Sequence, residues 1–149
     1  MKIFLGADHA GVIQKNKIKK YLKSKRYSFE DCGSNESHSA DDYVDYAEKV
    51  ARKVVKTKNS KGILFCGSGL GMVMAANKIK GIRAATGFDL YSARMARFDN
   101  DANILGLRTR YFSTQKIKKI VHVWLTTPFS GIKRHQKRIN KLAKLENKK

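Results

Sequence analysis

The chain has 149 residues, 42% of them hydrophobic and 9% aromatic, enough for one folded domain (residues 1–149) and too apolar for a disordered chain. It lacks an apolar run near the roughly 18 residues of a bilayer span, a signal-peptide pattern at Met1–Gly6, and metal-ligand spacing around Cys32 and Cys66. A cytoplasmic protein without disulfides, zinc or membrane is therefore expected. Its 32 Lys and Arg against 12 Asp and Glu leave a formal charge of +20. That charge fits a solvated lysine-rich surface (Lys15, Lys17, Lys19, Lys20 and Lys23 on one helix) or a polyanion partner released by salt.

Taken in order, residues 2–7 predict a buried strand ending at Gly6. Residues 11–25 predict a helix with Val12, Ile13, Ile18, Tyr21 and Leu22 as its apolar stripe. A second strand is expected at 27–32, a polar loop at 33–41 and a helix at 42–57. The continuous apolar run 62–66 reads as a central parallel strand. A glycine-rich turn leads to a helix at 70–79. Strands are expected at 82–85 and 103–107, with a helix at 90–97 between them. Thr114 is placed to cap a helix running to about Leu125. The last helix begins near Ser130 with Ile132, His135, Ile139, Leu142 and Leu145 near one face, and Glu146–Lys149 read as a frayed tail. This alternation predicts an α/β fold, a parallel sheet between two helical layers with right-handed crossovers. Ligands in such folds lie beyond the carboxyl ends of the strands.

Three constellations fall there or nearby. Cys66-Gly67-Ser68-Gly69-Leu70-Gly71 turns from a buried strand into a helix. Its glycines admit a close ligand, and free N–H groups with the helix dipole favour an anion. It lacks the Lys-Ser/Thr of a P-loop and the full dinucleotide spacing, which argues against ATP and NAD. Cys66 is either a small core residue or a thiol whose pKa the helix N-terminus lowers. Asp8 and His9 close the first strand; Asp8 either caps the next helix or faces a ligand. Arg134 and Arg138, four apart on one helix face, either point to solvent or grip a phosphate, and Arg110 follows the fifth strand.

These segments occur in one order: GADHAG at 6–11, DYVDYA at 42–47, ILFCGSGLGM at 63–72, AANKIKGIRAA at 75–85, YSARMAR at 91–97, NDANIL at 100–105 and RHQKRI at 134–139. To about residue 142 the chain resembles the ribose-5-phosphate isomerase type B family, whose relatives include allose-6-phosphate and galactose-6-phosphate isomerases. The resemblance implies a Rossmann-like α/β/α sandwich with a five-stranded parallel sheet. It implies a homodimer or dimer of dimers with the active site between subunits and the C-terminal helix (about 130–146) on the partner. It implies aldose–ketose isomerisation of ribose 5-phosphate through an enediolate, with neither metal nor organic cofactor.

By the same resemblance Cys66 is the base. N–H groups of Gly67, Gly69, Leu70 and Gly71 stabilise the enediolate, Ser68 assists ring opening and proton traffic between the two oxygens, and Asp8 orients sugar hydroxyls and aids ring opening. Tyr43 and Asn100 contact the sugar. His9, Arg110, Arg134 and Arg138 hold the phosphate, the last two from the partner. Met72 stands where another branch of the family places Glu. Two departures stand out. Val44 replaces a common Pro, and Asp99 occupies the position of the ring-opening His. A carboxylate is a poor acid at neutral pH. Asp99 therefore leaves open a hexose 6-phosphate substrate, or a weakly catalytic binder of sugar phosphates or polyanions. Nucleic acid is not the expected partner.

Overall fold

The computed structural model describes residues 1–36 and 41–146. The middle of the 33–41 loop and residues 147–149 of the expected tail lie outside the described residues. The elements are β1 (Lys2–Ala7), α1 (Val12–Ser24), β2 (Ser28–Asp31), α2 (Tyr43–Lys56), β3 (Ser60–Cys66), α3 (Gly71–Ala76), β4 (Ala84–Gly87), α4 (Leu90–Phe98), β5 (Ile104–Arg108), α5 (Thr114–Thr126) and α6 (Lys133–Leu145). All strand pairs are parallel, in the order β2-β1-β3-β5-β4. This is the expected α/β fold.

Strand alternation divides the core into two layers. Ile63 and Phe65 face α1, α4 and α5, where Trp124 is fully buried. Leu64 and Cys66 face α2 and α3 beside Val50 and Met72. The chain leaves β1 toward β2 on one side and β3 on the other, so a crevice opens between the carboxyl ends of β1 and β3. Such a reversal point is where open α/β sheets bind ligands.

Four boundaries differ from expectation for local reasons. Ile82 lies before β4, because its N–H closes a turn on the Ile79 carbonyl (3.1 Å) and its side chain joins the α2–α3 layer. α3 stops at Ala76, because the Asn77 amide exchanges hydrogen bonds with the Ala84 backbone at 3.0 and 2.8 Å. Ser113, not Thr114, caps α5 by accepting the Lys116 N–H; Thr114 instead donates to Gln14. α6 begins at Lys133, after a turn in which Ser130 accepts the Ile132 N–H.

Lys15 corrects the surface reading. It lies three residues after Val12 and seven before Leu22, on the buried stripe, whereas Ile13 is 63% exposed. The fully buried Lys15 ammonium donates to Asp31 (2.5 Å), to the Ser34 carbonyl (2.6 Å) and to Asn35 (3.2 Å), while Lys19 takes the other Asp31 oxygen at 2.6 Å. Burial pulls the Lys15 ammonium below its ordinary pKa against the pull of Asp31. Burial also pushes the Asp31 carboxyl up, but bonds from Lys15, Lys19 and the Gly33 N–H outweigh it and hold it below the usual range.

α6 is the least embedded helix. His135 and Ile139 are its buried residues, with His135 edge-on to Phe98. Ile132, Leu142 and Leu145 of the same face are 43%, 47% and 60% exposed.

Candidate active site

The β1–β3 crevice is built from backbone first. The Asp8 N–H donates to the Phe65 carbonyl at 3.2 Å, tying the two strand ends together. Gly11 starts α1 so close to β3 that a Cβ there would stand 2.1 Å from the Phe65 carbonyl oxygen. Thr109, just beyond β5, places its hydroxyl 2.9 Å from the Ala10 carbonyl and 3.0 Å from the Cys66 carbonyl, and its N–H donates to Cys66 as well. One residue thus joins the ends of β1, β3 and β5. The sequence reading missed Thr109, because a lone Thr after a strand carries no chemical pattern.

On this platform sits Cys66, 8% exposed. Burial raises its thiol pKa above the ordinary value, and a hydrogen bond and charge from Asp8 add to the rise. The N–H groups of Gly69 and Ser68 act in the opposite direction. The expected lowering by a helix N-terminus is thereby corrected: α3 has only six residues, and a carboxylate stands beside the sulfur. Asp8 is 5% exposed, and its carboxylate also accepts the Gly11 N–H at 3.0 Å. It therefore braces the turn into α1 and contacts the thiol at once.

The glycine turn forms one wall of a cleft of about 250 Å³ lined by Gly67, Ser68, Leu70, Phe88, Arg108, Arg110 and Tyr111. Ser68 is exposed and its hydroxyl accepts the Leu70 N–H at 3.3 Å. Gly69 has φ of +77° and its carbonyl accepts from Thr86 at 3.1 Å. The half-exposed Tyr43 ring lies across Gly71, where a Cβ would come 2.9 Å from the ring. The Arg110 guanidinium rests on Gly67. Arg108, absent from the sequence reading, donates to the Arg110 carbonyl at 3.0 Å and stacks over the Tyr111 ring at 5.1 Å. Its signal was a second Arg two residues before Arg110.

His9 is held by a residue that the loop reading passed over. Oδ1 of Asp41 lies 2.8 Å from His9 Nδ1 and accepts the His9 backbone N–H at 3.2 Å. Burial pushes the Asp41 carboxyl up, but the His9 contacts prevail and hold it below the usual range.

The structure does not bring the remaining four candidates to this cleft within one chain. Asp99 ends α4, and Asn100 follows it at the amino edge of the sheet, where Arg83 Nε contacts the Asn100 carbonyl at 3.2 Å. β5 begins four residues before the level of Cys66, so about 13 Å of strand separates the two edges. Asp99 lies 3.7 Å from Nδ1 of the buried His135. The adjacent Arg134 donates from Nε to His135 Nε2 at 3.2 Å, and Arg134 and Arg138 are both exposed. Asp99 and Arg134 thus meet through His135, away from the cleft, with Asn100 beside Asp99 in the chain and Arg138 one turn along α6. Among the described residues no cluster of His, Cys, Asp and Glu could hold a metal ion, and no helix is long and apolar enough to cross a membrane.

Known proteins match this architecture along its whole length. A profile of the Ribose/Galactose Isomerase family matches residues 3–142. A putative sugar phosphate isomerase, YwlF, of Bacillus subtilis is 42% identical over 99% of both chains. A probable ribose-5-phosphate isomerase B of Mycoplasma genitalium is 41% identical, over 97% of this chain and 95% of its own. The solved structure of ribose-5-phosphate isomerase B from that organism, with bound ribulose 5-phosphate, has a TM-score of 0.95 and 40% identity, covering 99% of this chain and 97% of the other. The Thermotoga maritima ribose 5-phosphate isomerase structure has a TM-score of 0.91 and 43% identity, covering 96% and 97%. With a family match over residues 3–142 and solved type B isomerases at TM-scores of 0.91 and 0.95, the chain belongs to the ribose/galactose isomerase family and groups with its type B ribose-5-phosphate isomerases.

Proposed function

We propose that the protein interconverts ribose 5-phosphate and ribulose 5-phosphate, with Cys66 as the base. One observation carries the reading. A cysteine stands at the β1–β3 reversal point, beside Asp8 and the N–H groups of a glycine turn, with Arg110 on that turn. The α-proton of an aldose is weakly acidic, so its removal needs a base and a charge sink together. Asp8 and Ser68 serve ring opening. The Cys66 thiolate then takes the C2 proton, and the electron pair moves onto the carbonyl oxygen to give an enediolate. N–H groups of the Gly67–Gly71 turn stabilise that charge, Ser68 passes the C2 hydroxyl proton to the C1 oxygen, and the thiol returns its proton to C1 as the C2 carbonyl forms. Arg110 and His9 hold the phosphate remote from the reacting carbons, so that its binding energy orients the sugar.

The working unit in this reading is a homodimer or a dimer of dimers. Its support is the split of the candidate residues between two edges of the sheet and the open apolar face of α6. A second copy docked through Leu142 and Leu145 carries its own Asp99, Asn100, Arg134 and Arg138 to the cleft of the first. Those guanidinium groups close the phosphate site. The two unpaired thiols, Cys32 and Cys66, suit a reducing cytoplasm.

The test is ketose formation by purified protein from ribose 5-phosphate. Turnover lost in Cys66→Ala supports the base assignment; unchanged turnover rejects it. Asp99 favours a second reading, a hexose 6-phosphate substrate, and allose 6-phosphate in the same assay distinguishes the two. Asp99→His raises ribose 5-phosphate turnover if the missing imidazole limits ring opening.

A further inference from the structure

His9 follows Asp8 just beyond the carboxyl end of β1, and Asp41 holds it there. The carboxylate accepts twice from that one residue, from its backbone N–H and from its ring. A carboxylate oxygen 2.8 Å from Nδ1 acts as an acceptor, so Nδ1 carries the hydrogen. The Asp41 side chain is only 11% exposed, against 36% for His9, so solvent screens the contact little. Nε2 of His9 has no hydrogen-bond partner among the described residues.

We propose that Asp41 is a positioning residue, which fixes His9 as the Nδ1–H tautomer and leaves Nε2 as the atom that meets the ligand. Nε2 then accepts from a sugar hydroxyl or, once protonated, donates to a phosphate oxygen. In both cases the ring cannot flip, because Nδ1 is already held. The imidazole arrives oriented, and binding does not bear the cost of ordering it. The inference deepens the isomerase reading and rests on it for the identity of the ligand.

The test compares wild type, Asp41→Ala and Asp41→Asn by ¹⁵N NMR of the His9 ring in ligand-free protein in mildly alkaline buffer. Steady-state kinetics with ribose 5-phosphate run beside it. Wild type shows a protonated Nδ1 and an unprotonated Nε2. Asp41→Ala loses that pattern, and its KM rises on the order of tenfold with kcat within about threefold of wild type. Asp41→Asn keeps an acceptor oxygen, and it retains the wild-type tautomer and most of the KM. A wild-type tautomer persisting in Asp41→Ala, or an equal KM rise in both variants, overturns the proposal. A purely structural role lowers the melting temperature without moving the tautomer. The ring spectrum needs no turnover. If it changes as stated while wild type fails to convert ribose 5-phosphate, the isomerase reading falls and the positioning role stands.

Discussion

The Arg110 guanidinium lies so close over Gly67 that a Cβ at position 67 would stand 2.9 Å from Arg110 Nε. The glycine thus lets a cation approach the turn that begins at the reactive sulfur. Gly67→Ala displaces the far end of a flexible side chain, so it leaves folding nearly unchanged and raises KM. Gly69→Ala is different. Its φ of +77° and a Cβ 2.7 Å from the Arg108 backbone nitrogen force the main chain to move. That variant loses about 1–3 kcal/mol of stability along with its activity. Denaturant unfolding and Michaelis kinetics on both variants check the contrast.

Cys66 predicts the shape of the pH profile. Burial and Asp8 hold its thiol above the ordinary cysteine value. The thiolate therefore grows as pH rises, and kcat/KM climbs from neutral into the alkaline range. A profile already flat below pH 7 contradicts this reading.

The Lys15–Asp31–Lys19 cluster predicts a stability effect distant from the chemistry. Asp31→Ala leaves the fully buried Lys15 without its counter-ion and costs about 3–5 kcal/mol. The sign of the acid dependence follows from the lowered carboxyl pKa of Asp31. Its contribution is present above the unfolded carboxylate pKa, near 3.8, and is lost as pH falls through the lower folded value. Urea melts of wild type and Asp31→Ala should differ more at pH 7 than near pH 3, the gap narrowing as the pH falls below 3.8.

A site shared between copies predicts complementation. Cys66→Ala and Arg138→Ala are each inactive or nearly so. Hybrid dimers of the two contain one intact site. Co-refolding an equal mixture restores about a quarter of wild-type activity if subunits pair at random. Leu142→Asp or Leu145→Asp, on the open face of α6, yields monomers by sedimentation and removes activity.

The sheet was legible because β1 and β3 are unbroken apolar runs and because a glycine turn marks where β3 ends. The order of segments GADHAG, ILFCGSGLGM and RHQKRI pointed to the family. Composition could not reveal that Lys15 is buried, since a lysine at a stripe position reads as solvated until Asp31 and Ser34 meet it. Asp41 was illegible for a similar reason: its partner His9 lies 32 residues away. The raised Cys66 thiol depends on Asp8 arriving from another strand, and the short length of α3 was hidden by the Asn77–Ala84 exchange. The division of candidates between the two edges of the sheet emerges only once β5 is in register with β3.

The most direct test follows deuterium from solvent D2O into C1 of ribulose 5-phosphate by NMR, in wild type and in Cys66→Ala. Wild type incorporates the label at C1, whereas Cys66→Ala incorporates none while still binding the sugar phosphate. Label entering C1 at the wild-type rate in Cys66→Ala contradicts the account.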